Sequence, residues 1–280
     1  YRTVDRTAIP KSATIHSENV CGVADEDLYT LALGQMDAIH QENKPFFLHI
    51  MTTSNHRPYT FPRDRVKQRE GSRDGAVAYT DWAIEDFIKR ARSKPYFADT
   101  MFVITADHDA SSAGKNSVPI NRYHIPLWIY APKHIQPRRV DRLMGQMDIA
   151  PTLLVLLNFS YRSRFFGYDL FELERGRERA FPATYEKLGY LQDHMLTVLE
   201  PLQKLEQFIP DFATGDSARV TAIDSAQVDQ AIAYYEVASL LFKRGKLVRR
   251  PTDSTPVRTL PAAATIPAGA AAPGSSAVPH

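Results

Sequence analysis

The sequence predicts an α/β protein with a mostly parallel sheet and helices on both faces. Two observations carry this. Helical and strand-like patterns alternate from residue 25 to about 159. The strand-like runs "FFLHIMT", "TMFVITA" and "IPLWIYA" are continuously apolar rather than alternating, as in strands buried on both faces. With 280 residues and 44% hydrophobic content, the protein has enough apolar material for a substantial core.

Residues 1–24 are polar and irregular and read as a loop entering the domain. In "DEDLYTLALGQMDAIHQEN", Leu28, Leu31, Ala32, Met36 and Ile39 recur at helical spacing. Asp25 is the expected N-cap, acids fill the first turn, and Lys44-Pro45 ends the helix. "FFLHIMT" follows as a strand, with His49 expected in the core or half-buried, and "TSNHRPYTFPRDR" reads as loop. A second helix is predicted from about Asp74 to Arg92, turning Val77, Ala83, Ile84, Phe87 and Ile88 inward. "TMFVITA" is the next strand, and a Ser/Gly/Asn loop holding Lys115 runs to about Arg122. "IPLWIYA" is the third strand, with His124 just before it. "DIAPTLLVLLNF" is a helix with Asp148 as N-cap and Pro151 in its first turn.

Beyond Leu170 the pattern loosens, and "LGYLQDHMLTVLEPLQKLEQF" reads as an antiparallel hairpin or a return to the sheet edge. Residues 224–244 form an amphipathic helix with Asp224 as cap, Val228, Ile232, Tyr235 and Phe242 inward, and Gly245 at its end. From Pro251 the sequence is Pro, Ala, Thr, Ser and Gly, a composition expected to stay disordered. The expected division is therefore 1–210 for a catalytic-type domain, 211–250 for an extension with the helix, and 251–280 for the tail.

The 34 basic and 32 acidic residues leave a formal charge of +2, which argues against nucleic acid as a partner. The longest apolar run, "IAPTLLVLLNF", falls short of the roughly 18–20 residues that span a bilayer, and no signal peptide is visible. The sequence opens at Tyr1 in a polar stretch, so it reads as a piece of something longer or a processed product. Cys21 alone permits no internal disulfide.

Ligands of open α/β sheets bind beyond the carboxyl ends of the strands. Two strand ends carry unusual polar clusters there: Thr52, Thr53, Ser54, Asn55 and His56 after one, and Asp107, His108 and Asp109 after another. Adjacent carboxylate and imidazole suit a divalent cation such as Mn²⁺ or Zn²⁺. Strand neighbours point to opposite faces, so both reach one ion only if the strand breaks after Ala106. Taken singly, Asp-His at a strand end also reads as a loop cap, Asn55-His56 as ordinary loop, and Asp148 as a helix cap.

Four segments in order, "MTTSNHRPYTFP" (51–62), "FVITADHDA" (102–110), "YHIPLWIYAP" (123–132) and "GQMDIAPTLLVLL" (145–157), together resemble the lipoteichoic acid synthase and sulfatase-type branch of the alkaline phosphatase superfamily. "FFGYDLF" (165–171) also fits the end of that domain, and the resemblance covers roughly residues 18–172. It implies membrane-anchored enzymes that move phosphoglycerol from an anionic phospholipid onto a glycan or glycolipid, with the catalytic domain on the outer or periplasmic side of the inner membrane. It implies a threonine nucleophile activated by a divalent metal, manganese first, with zinc, magnesium or calcium as options. Transferred residue by residue, Asp107 and His108 match metal ligands. His56 matches the catalytic histidine that touches the substrate phosphate, and Arg57 is placed to help hold the anion.

The family's nucleophilic threonine and first acidic ligand lie N-terminal to these motifs. No segment here matches either, nor the membrane helices, so the sheet is expected to be incomplete on its N-terminal side. Thr52 and Thr53 belong to the histidine motif and are not nucleophile candidates. Asp109 stands where many relatives have glycine, and Cys21 where they often have tryptophan. Two other readings stay open: a sulfatase or phosphonate-ester hydrolase of the same superfamily, and a catalytically inactive binding module.

Overall fold

The computed structural model describes residues 2–109 and 118–248. These fall into two units: one runs to Ile104 and includes Leu127–Pro137, the other holds Thr105–Pro126 and the residues from Arg138 onward. The expected tail at 251–280 and Lys115 lie outside the described residues.

The first unit is organised by two helices, α1 (Asp25–His40) and α2 (Arg73–Ala91), and by strands β1 (Phe102–Thr105) and β2 (Leu127–Tyr130), which pair with each other. α1 buries Tyr29, Ala32, Leu33 and Met36, whereas Leu28, Leu31 and Ile39 are only half-buried. The buried stripe is rotated from the expected one because Tyr29 stacks on Phe87 of α2, with ring centroids 4.6 Å apart. α2 starts at Ser72, whose hydroxyl accepts from the Gly75 amide at 3.1 Å. Its inward face is Ala76, Tyr79, Ala83, Phe87 and Ala91, a run of three- and four-residue steps, while Val77 is exposed. Gly75 is required by close approach, since a Cβ there would sit 2.3 Å from the Arg69 carbonyl.

Residues 46–52 form no strand. Phe46, Leu48 and Ile50 pack on the core of this unit, while Phe47, at 87%, and Met51, at 70%, are exposed. This is the burial pattern of a strand with one covered face, but no adjacent strand among the described residues supplies a ladder to it. His49, expected to be covered, points with Phe47 and Met51 and is exposed.

The second unit holds α3 (Ile149–Leu156), α4 (Ser225–Lys243) and a five-stranded sheet: β3 (Arg179–Ala180), β4 (Leu188–Gln192), β5 (Met195–Glu200), β6 (Lys204–Pro210) and β7 (Ser217–Arg219). The strands follow sequence order, and every pair is antiparallel. Of the two readings of the segment after residue 188, the hairpin is correct. Asp193 and His194 both adopt positive φ (46° and 62°) between the paired Gln192 and Met195, the backbone of a two-residue turn matched to strand twist. Val118, Ile120, Leu191, Leu196 and Val198 form the core.

α4 packs on β4 and β5. Asp224 caps it by accepting from the Gln227 amide at 3.1 Å, and Gly245 follows it at φ 61°. Its covered face is Gln227, Val228 and Ala231, with Tyr235 half-buried, so Ile232 and Phe242, expected inward, are exposed. The buried Gln227 explains the rotation. Its Nε2 donates to the Gln192 and Met195 carbonyls at 3.0 Å each, and its Oε1 accepts from Thr197 at 2.9 Å. These bonds satisfy a side chain that would otherwise cost heavily inside.

Candidate functional site

The loop carrying His56 is fixed by the N-terminus of α1. Asp25 is the first helical residue rather than the cap, and Ala24 takes the cap position. The fully buried Asp25 carboxylate accepts from the amides of Thr53 (3.1 Å) and Ser54 (3.0 Å), and the Ser54 hydroxyl accepts from the Asp25 amide at 3.1 Å. Burial pushes the Asp25 carboxyl above the usual carboxylate range, opposed by these hydrogen bonds. Glu26 and Asp27 are buried beside it. Glu26 pairs with Arg65 at 3.0 Å, and Asp27 accepts from the His16 amide (2.8 Å) and contacts its ring (2.6 Å). Three acids in one first turn suit the positive end of the helix dipole, and each has its own partner.

Within that loop Thr53 is spent on structure, its hydroxyl donating to the Val23 carbonyl at 3.4 Å. His56 is exposed, and its Nδ1 lies 2.8 Å from the Arg57 carbonyl. A carbonyl only accepts, so Nδ1 carries the proton and Nε2 presents the lone pair of the neutral ring. The Cys21 sulfur lies 3.6 Å from the same Nδ1 and 3.7 Å from the Arg57 carbonyl. Arg57 is exposed beside it.

β1 ends at Thr105, and the backbone leaves the extended path at Asp107, the break that both side chains need. Asp107 Oδ1 accepts from the His108 amide at 2.9 Å, and His108 Nδ1 donates to the Asp109 carbonyl at 2.6 Å. This leaves His108 Nε2 as the free ring nitrogen, 3.6 Å from Asp107 Oδ2. The side chains of Asp107 and His108 are 79% and 70% exposed.

These two donors fit a divalent cation as far as they go. At 3.6 Å apart they both reach one ion through bonds of about 2.0–2.2 Å. The carbonyl bond to Nδ1 selects the tautomer with Nε2 open, the arrangement usual for metal-binding histidines. Among the described residues no group of three or more His, Cys, Asp or Glu gathers to complete a coordination shell.

The peptide carrying this pair is held by the turn before α3. Gln146 Nε2 donates to the Asp107 carbonyl (2.7 Å) and the Ala106 carbonyl (3.3 Å). Asp148, two residues on, takes the expected N-cap position of α3, but its side chain makes no capping hydrogen bond. Both oxygens of its buried carboxylate accept from Arg179 at 2.9 Å, and they also accept from the amides of Gly145 (2.9 Å) and Tyr168 (2.8 Å). A second Arg179 nitrogen donates to the Phe166 carbonyl at 2.7 Å. Gly167 makes this approach possible, since a Cβ would sit 1.9 Å from the Met147 carbonyl.

Sequence reasoning did not single out Asp25, Gln146 or Arg179 as supports. Gln146 lies inside the "GQMDIAPT" segment that carries the resemblance, and Asp25 reads as an ordinary first-turn acid. Arg179 sits in "ERGRERA", which looks like any solvated charge run.

Residues 3–159 match the family model described as sulfatase. The protein is 26% identical over 189 residues to lipoteichoic acid synthase 1 of Bacillus subtilis, covering 59% of this chain and 29% of that protein. It is 25% identical over 151 residues to the lipoteichoic acid synthase of Staphylococcus saprophyticus, covering 45% of this chain and 23% of that protein. It thus spans less than a third of the length of these relatives. A solved alkaline phosphatase superfamily protein from Vibrio parahaemolyticus superposes with a TM-score of 0.80 at 34% identity, over 85% of this chain and 59% of that one. The lipoteichoic acid synthase structure from Listeria monocytogenes shares the fold, with a TM-score of 0.67 at 18% identity, over 86% of this chain and 63% of that one. The α/β fold is therefore that of the alkaline phosphatase superfamily, and the chain belongs to the sulfatase family.

Proposed function

We propose that this protein supplies the metal- and phosphate-binding part of a phosphoester transferase or hydrolase, whose attacking threonine lies outside residues 1–280. The observation that carries the reading is the Asp107–His108 pair, with a carboxylate oxygen and an open imidazole nitrogen 3.6 Å apart at the end of an apolar strand. A bound divalent ion, Mn²⁺ in this proposal, would neutralise charge on a phosphate oxygen and lower the pKa of an attacking hydroxyl. Asp107 and His108 would hold that ion. His56 would contact the phosphate through Nε2, accepting a proton as the neutral ring or donating one as imidazolium. The Arg57 guanidinium would hold the anion.

Similarity to lipoteichoic acid synthases supports a finer reading: a phosphoglycerol-bearing anionic lipid as donor, a glycan or glycolipid as acceptor, and a catalytic domain outside the membrane. In this reading residues 1–210 belong to the catalytic domain and 211–250 extend it. No helix among the described residues is long and apolar enough to cross a membrane, so anchoring would come from a segment beyond those residues.

A second reading, a binding module without turnover, draws on the two-donor character of the site. Turnover separates the two. The full-length gene product incubated with phosphatidylglycerol and Mn²⁺ should release diacylglycerol, and Asp107→Ala in that product should abolish release. Undiminished release by Asp107→Ala would refute the assignment, and no release by the unsubstituted full-length product would favour the binding module.

A further inference from the structure

Residues 46–52 have the burial pattern of a strand and the hydrogen bonding of none. Phe46, Leu48, Ile50 and Thr52 are half-buried, while Phe47, His49 and Met51 are exposed. Phe46, Leu48 and Ile50 pack on the core of the first unit. No backbone N–H or C=O from Lys44 to Thr52 finds a partner among the described residues. β1 and β2, by contrast, pair with each other, and every strand of the second unit has a neighbour. A row of unpaired backbone groups along an apolar segment is a template for another strand, and such edges are commonly blunted by charge, proline or a bulge. Here Lys44 and Pro45 stand just outside the segment, and "FFLHIMT" itself holds no Asp, Glu, Lys, Arg, Pro or Gly.

The segment is close to palindromic in side-chain character about His49. Leu48 and Ile50 flank it, then Phe47 and Met51, then Phe46 and Thr52. Two copies laid antiparallel, with a two-fold axis at His49, therefore oppose matching side chains. Leu48 meets Ile50 of the second copy on the covered face. Phe47 meets Met51 of the second copy on the exposed face, a sulfur–aromatic pair. Directly opposed residues share a face, so this register continues the covered side of one copy into that of the other. A one-residue slip would set the covered residues of one copy beside the exposed residues of the other. The seven-residue overlap supplies about six to eight backbone hydrogen bonds to groups that otherwise meet only water. None of the opposed pairs brings two carboxylates or two Lys or Arg side chains together.

We infer that a second copy of this protein occupies the open edge, the two chains pairing through residues 46–52 into a dimer with one antiparallel ladder across the axis. The interface is isologous, so each side-chain contact off the axis is made twice and each substitution acts twice. The pairing is separate from the phosphoester reading: it holds whether or not Asp107 and His108 share an ion.

Sedimentation equilibrium of the 280-residue protein in the micromolar range should fit a monomer–dimer equilibrium that approaches about 63 kDa, twice the 31.6 kDa of one chain. Phe47→Ser, at a side chain exposed in the single copy, should weaken association by about tenfold or more because both contacts to Met51 are lost, with the circular dichroism spectrum unchanged. In a Cys21→Ser background, His49→Cys should oxidise to a covalent dimer, since opposed Cα atoms of antiparallel strands lie about 4.5–5.5 Å apart, within disulfide reach. Met51→Cys in the same background should not, because its two copies would lie about 14 Å apart along the ladder. Four results overturn the proposal: a monomer throughout the range, which would leave this edge to a strand from a longer chain; a dimer that Phe47→Ser leaves intact; open-ended assembly in place of a closed dimer; or equal cross-linking at positions 49 and 51.

Discussion

Replacing Asp148 by Asn would remove a charge from a nearly isosteric side chain and leave the Arg179 guanidinium in place. The side chains of Arg179 and Asp148 are only 1% and 3% exposed, so water cannot take over the lost interaction. The carboxylate now receives Arg179 at 2.9 Å on both oxygens, plus the amides of Gly145 and Tyr168. The amide of Asn keeps one acceptor and turns an NH₂ toward donors. Breaking a buried pair from one side costs about 3–5 kcal/mol, mostly the penalty of the stranded charge. At about 2–4 °C per kcal/mol for a domain of roughly this size, the midpoint should fall by roughly 6–20 °C. Urea and thermal unfolding followed by circular dichroism read this directly. The double variant Asp148→Asn/Arg179→Met should recover most of the loss, because an apolar replacement removes the stranded charge. A cost below about 1 kcal/mol for Asp148→Asn, or a double variant no more stable than the single, would show that the pair is not what holds this turn.

Asp25→Ala should cost about 1–3 kcal/mol in urea unfolding, because the buried Thr53 and Ser54 amides lose their acceptor, and it should broaden the His56 ring signals. Gln146→Ala should cost only about 0.5–1.5 kcal/mol, yet raise amide exchange at Asp107 and His108, whose peptide it holds. The hydrogen bond to Asp27 raises the His16 pKa. Its charged form is therefore favoured by folding, and the stability it adds is complete below its unfolded pKa of about 6.5 and lost as pH rises through the raised folded value. The stability difference between parent and His16→Gln should shrink over that window, and an unshifted His16 titration by NMR would contradict the contact.

The parts legible in the sequence were those set by local pattern. The acids of "DED" mark the start of α1, Asp224 and Gly245 bracket α4, and "FVITADHDA" marks where β1 ends and two donors emerge. What the sequence could not show was which side of a helix faces in when polar contacts choose it. Gln227 rotated α4 away from Ile232 and Phe242, and the Tyr29–Phe87 stack rotated α1. Asp25 and Asp148 illustrate the same limit: each has the right residue type for a cap, but distant partners take its oxygens, the Thr53 and Ser54 amides at Asp25 and the Tyr168 amide and Arg179 at Asp148. "FFLHIMT" has the composition of a strand, yet a strand exists only where a neighbour completes its ladder. The Asp-His pair was legible because its chemistry is local. The Gln146 bond that holds it joins segments 39 residues apart.

Whether Asp107 and His108 share an ion decides the functional reading. Calorimetric titration of the protein with Mn²⁺, compared with Asp107→Ala and His108→Ala, answers the question. One saturable site per molecule, weakened about tenfold or more by either substitution, is the expected result. Mn²⁺ binding that is absent from the parent protein, or unchanged in both variants, would contradict it.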